Sequence, residues 1–192
     1  AVAVLAALPA LAFANPENYT LDPTHTYPNF QVEHWGLSMM FGRFDKTVGK
    51  FSFDRAAKTG SVELTIDTGS VTTGDNDKGN RPRARDEHLR AADFFNAAEF
   101  PKMTFKSTKV TFGGDLPSAV EGNLTLLGVT KPVNLTIERF KCNPAQGNSK
   151  ERCGGNATGK YKRSDFGMDK YAKEGMLGDE ITLSVAIEAG HK

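Results

Sequence analysis

Apolar residues recur at every second position over short runs along most of the chain. Gly, Pro, Asn and Asp separate the runs, and this is the period of strands with one oily and one wet face. Phe30, Val32 and His34 share a face against Gln31 and Glu33, Val48 leads into Lys50-Phe51-Ser52-Phe53, and Val62, Leu64 and Ile66 alternate with Glu63, Thr65 and Asp67. Met103 with Phe105, Leu124 with Leu126, the run Val133, Leu135, Ile137 and the run Ile181, Leu183, Val185, Ile187 repeat the pattern. The expectation is an all-β, antiparallel domain. Seven or eight such strands close either as a sandwich whose faces fill each other or as a barrel around a space. An inward set rich in Phe, 13 in the chain, and a long stretch without strand pattern between Thr68 and Pro101 favour the barrel. Within that stretch Arg85 to Phe95 has helix-forming composition, with Leu89, Phe94 and Phe95 as its apolar side, and is expected to cover one mouth.

Residues 1–14, AVAVLAALPALAFA, carry no charge and end in Ala12-Phe13-Ala14, the small-x-small pattern that precedes signal-peptide cleavage. They are read as the remnant of a signal peptide cut after Ala14. Pro9 interrupts them, and they fall short of the roughly 20 apolar residues that cross a bilayer. A single domain over 15–192 is expected, secreted to an oxidising compartment, and it is large enough for a sizeable core. In that oxidising compartment Cys142 and Cys153, on either side of the polar stretch NPAQGNSKER, are expected to close a hairpin loop as a disulfide. A net charge of +1 implies neither nucleic acid nor an anionic membrane surface as a partner chosen by bulk charge.

Four segments then combine. An Asp followed by His and an alternating run ending in His-x-Gly stands at Asp22, His25, Phe30, Val32, His34 and Gly36. Arg-Asp-x-His-Leu, Asp-Phe and a Phe-Pro strand entry stand at Arg85, Asp86, His88, Leu89, Asp93, Phe94, Phe100 and Pro101. The run Gly-x-Leu-Thr-x-x-Gly-Val-Thr-Lys-Pro-Val covers Gly122 to Val133, and Arg-Ser-Asp-Phe-Gly-Met covers Arg163 to Met168. In order and spacing these resemble the YceI-like family of bacterial periplasmic, polyisoprenoid-binding proteins. The resemblance implies an eight-stranded, lipocalin-like antiparallel barrel whose apolar channel carries an isoprenoid, an isoprenoid quinone or another long-chain lipid.

The channel wall is expected from Phe30, Val32, Phe51, Phe53, Leu64, Ile66, Met103, Phe105, Leu124, Leu126, Leu135, Ile137, Leu183 and Val185. These face inward whether the interior is hollow or filled, so alternation alone leaves core packing as the competing role. Phe94, Phe95, Phe166 and Met168 are read as lid or wall residues. His34 continues the Phe30–Val32 face and would point into the barrel, as a hydrogen-bonded core histidine or as a contact to a lipid head group. Arg81, Arg83, Arg85 and Arg90 form the one local basic cluster, and Arg85 with His88 is the candidate pair for a polar head group. The competing reading of Arg85 is a local salt bridge to Asp86.

His25, His34 and His88 lack the spacing of a metal motif, so no metal is expected, and no cofactor beyond the bound lipid. No nucleophile elbow, zincin helix or P-loop is present, which argues against catalysis. The alternatives are an interaction module with a filled core and an isoprenoid-modifying enzyme. No stable membrane insertion is expected, and edge strands leave a homodimer open.

Overall fold

The computed structural model describes residues 16–191, so the proposed signal-peptide remnant lies outside the described residues. The strands are β1 (Glu17–Leu21), β2 (Tyr27–His34), β3 (Ser38–Phe44), β4 (Thr47–Asp54), β5 (Thr59–Asp67), β6 (Val71–Thr72), β7 (Lys102–Gly113), β8 (Leu116–Leu126), β9 (Val129–Asn143), β10 (Arg152–Lys162) and β11 (Leu177–His191). Eight of them close an antiparallel barrel in the order β1-β4-β5-β7-β8-β9-β10-β11, with β11 returning to β1. Closure uses the last residues of β11, where Tyr19, Thr20 and Leu21 lie opposite His191, Gly190 and Ala189. The earlier part of β11 pairs instead with β2, from Leu177 opposite His34 to Ala186 opposite Tyr27. β2, β3 and β6 therefore extend the sheet beyond the closed ring.

We call the end with the β4–β5, β7–β8 and β9–β10 turns the lower end. The upper end is covered by the segment from Thr68 to Pro101 and by the loop from Arg163 to Met176. Helix α1 spans only Arg85–Arg90, shorter than the helical composition suggested. Consecutive residues diverge by about 100° on a helix, so Phe94 and Phe95 can both bury only because the chain has already turned out of it. Both are buried, and Phe95 stands edge-on to Phe30 and Phe44.

Aromatic rings fill the interior where the backbone makes room for them. A Cβ at Gly122 would collide with the Phe105 ring, and one at Gly42 with the Phe30 ring. The loop after β10 is tied down by Arg163, which is 1% exposed. Its guanidinium donates to the carbonyl oxygens of Gly178, Met168 and Leu177 at 2.8, 2.8 and 2.9 Å. Burial draws its pKa down, opposed by Asp179 and Asp169, and the group stays a cation.

At the lower end Cys142 and Cys153 lie directly opposite each other and form a disulfide. Replacing both by Ser should cost about 2–3 kcal/mol from loop closure alone. Thermal denaturation should then show a melting temperature lower by roughly 4–12 °C.

Candidate functional site

Inward side chains leave three apolar spaces strung along the barrel. The lower cavity, about 70 Å³, lies among Phe51, Phe53, Val62, Leu64, Phe105, Val110, Pro117, Val120, Leu135, Ile137, Phe140, Val185 and Ile187. The middle cavity, about 40 Å³, lies among Phe30, Phe44, Leu64, Ile66, Met103, Phe105, Leu124, Val133, Leu135, Tyr161, Leu183 and Val185. Leu64, Phe105, Leu135 and Val185 are common to both, so these four side chains form the partition. The upper cavity, about 290 Å³, is bordered by Phe30, Val32, Met40, Phe41, Leu89, Phe94, Tyr171, Met176 and Leu177, with His34, Thr73, Arg85 and His88 as its polar groups. Phe30 separates it from the middle cavity. Well-packed interiors hold few voids larger than a water, whereas here three neighbouring spaces share walls from the lower end to the cover.

The polar groups of the upper end are largely paired among themselves. Asp86, 1% exposed, accepts from the hydroxyls of Thr72 and Thr73 and from the Thr73 amide. It therefore does not pair with Arg85 as the salt-bridge reading had it. Arg85 lies 3.4 Å from Asp75, which Arg81 already holds with two bonds of 2.6 Å. Arg83 reaches Asp93, and Arg90 donates to the carbonyl oxygens of Gly69 and Val71. The arginine cluster is thus mostly scaffold, and only Arg85 borders the cavity. His88 Nε2 sits 2.8 Å from Asp93 Oδ2, with its ring edge-on to Phe94. Burial is the largest single influence on Asp93 and would raise its pKa, but the His88 hydrogen bond and charge, a backbone hydrogen bond and the Arg83 charge together hold the carboxyl below the usual carboxylate range.

Most of the side chains expected as channel wall, lid or head-group contacts border one of these spaces. Phe95, Leu126, Phe166 and Met168 do not: they are buried in the surrounding core. His34 is exposed and stands on the rim of the upper cavity instead of inside the barrel, because β2 outruns the closed ring. Several lining residues escaped the sequence pattern. Strand β9 carries a bulge opposite Asn156 and Ala157 that switches its inward parity from Leu135 and Ile137 to Phe140 and Cys142. A register shift between Ser107 and Lys109 does the same in β7 and turns Val110 inward. Tyr161, which is not among the expected wall residues, follows Ala157 and Gly159 with plain period two. Among the described residues, the cluster with three potential metal donors close together is Cys142, Glu151 and Cys153, and both sulfurs are spent in the disulfide.

The family model for a YceI-like domain matches residues 19–189. This chain belongs to the YceI-like family. It is 38% identical over 168 residues to Protein YceI of Salmonella arizonae, covering 85% of this chain and 81% of that one. A crystal structure of the YceI protein of Campylobacter jejuni superposes with a TM-score of 0.68 at 30% identity, over 83% of this chain and 90% of the other. The same fold occurs in a polyisoprenoid binding domain from Saccharophagus degradans implicated in plant cell wall breakdown, with a TM-score of 0.63 at 18% identity, over 91% and 98% of the two chains.

In this YceI-like chain the Asp93 carboxylate fastens the upper cover. Its folded pKa lies below the unfolded value of about 3.9. Its contribution is therefore complete above that value and lost as the pH falls through the lower one. Amide exchange followed down to about pH 3 should show 84–96 opening before the barrel strands.

Proposed function

We propose that this chain is a periplasmic carrier that holds a polyisoprenoid, an isoprenoid quinone or another long-chain amphiphile in the barrel, and that it performs no chemistry on its cargo. The supporting observation is the series of three neighbouring apolar cavities, parted only by side chains that can change rotamer. Each methylene taken from water contributes about 0.8 kcal/mol, so a long tail has ample driving force to spread these side chains. Such a tube selects length and girth, while Arg85, His88, His34 and Thr73 at the upper cavity would meet the polar end. The shared fold with a neighbour described as polyisoprenoid binding points the same way. No carboxylate, histidine or lysine borders the lower or middle cavity, which disfavours an isoprenoid-modifying enzyme.

Val185 lies on the partition between the two inner cavities. Val185→Phe should fill both and cut uptake of a fluorescent polyene fatty acid by at least ~10-fold, while stability changes by no more than about 1–3 kcal/mol. A folded variant with unaltered uptake would contradict the channel.

A further inference from the structure

The hairpin between β2 and β3 breaks two local rules at once. Its turn places Trp35 and Gly36 at φ 58° and 65°, and Leu37 N–H donates to the His34 carbonyl oxygen at 3.0 Å. This is the two-residue turn in which Asn-Gly or Asp-Gly is favoured, yet the first left-handed position holds a bulky Trp. Trp35, Leu37, Met39 and Phe41 are 52%, 84%, 42% and 62% exposed. The stretch WGLSMMFG from Trp35 to Gly42 has no charge; Glu33 stands opposite Met39 in the ladder, and Arg43 beyond it is paired with Asp45 at 2.7 Å.

We propose that this hairpin is a reversible docking element for the surface of a lipid bilayer. The exposed parts of these four side chains amount to roughly 500 Å², from typical aromatic and aliphatic side-chain areas. That is short of the ~800 Å² each partner commits to a standard protein interface, but ample for a shallow wedge in the headgroup region. Trp at the tip is the residue that favours that boundary; Glu33 stands opposite Met39 and Asp45 neutralises Arg43, so apolar burial and not charge carries the docking. The patch also runs into the upper cavity, because Phe41 belongs to both and Met40 and Met176 border the cavity beside it. Docking here would present the cavity mouth to the lipid phase. This purpose rests on the carrier reading, whereas the docking itself is measurable without cargo.

Trp35 is the single Trp of the chain, so its emission reports the hairpin directly. On vesicles of phosphatidylcholine and phosphatidylglycerol, emission should move to shorter wavelength and be quenched by brominated acyl chains. L37E with M39E, both outside the cavity lining, should lower vesicle partitioning by at least ~10-fold. Their uptake of the polyene fatty acid from solution should be unchanged. Emission that ignores vesicles overturns the proposal. So does a blue shift that grows with protein concentration alone, since it would mean that a second copy covers the free β3 edge at Ser38–Gly42. Vesicle binding by a protein that takes up no fatty acid would uphold docking and remove the carrier reading.

Discussion

Strand β11 cannot pair with β1 and β2 over the same residues, and the division of its 15 residues between them gives the molecule its shape. The last three residues seal the ring against β1, and those before them carry β2 and β3 past its rim. Closure removes sheet edges from the barrel and commits every inward side chain to one enclosed apolar volume. Eight strands give an interior just wide enough for side chains or one small ligand. Here Phe30 and the partition of Leu64, Phe105, Leu135 and Val185 divide that volume into spaces without abolishing them. The same division of β11 creates the projecting hairpin.

Polarity is handled at the ends. Below, Tyr19 is fully buried with its single hydroxyl proton within hydrogen-bonding reach of both Glu17 and Glu151, which also hold Arg55. Burial and the two carboxylates push its hydroxyl pKa upward. Above, Arg163 is bound by three carbonyl oxygens and Asp86 by two threonines, so each buried charge has partners. These networks fix the covers and leave the two inner cavities walled mainly by apolar side chains, with Asn29, Ser52, Ser61, Asn156 and the Tyr161 hydroxyl as the polar groups among them.

The period-two pattern carried most of this architecture. Phe51, Phe53, Leu64, Met103, Phe105 and Leu124 sit where alternation puts them, because regular pairing preserves parity. Phe140 and Val110 were hidden because a bulge adds one residue and reverses parity beyond it, and a bulge has no distinct composition in β7 or β9. His34 was misplaced for a different reason: alternation gives the face of a residue but not where the barrel ends. Sequence shows the charges of the arginine cluster without their partners: Asp75 and Asp93 pair with Arg81 and Arg83, two backbone carbonyls accept from Arg90, and Arg85 is the member that borders the cavity.

A long tail in the barrel is measured most directly by native mass spectrometry of protein purified from its own source, followed by extraction after unfolding. The expected result is a stoichiometric isoprenoid, quinone or long-chain acyl species that stays bound in the folded state and is released only on denaturation. A folded protein with no adduct, and no lipid in the denatured extract, would contradict the carrier and leave the cavities as packing defects.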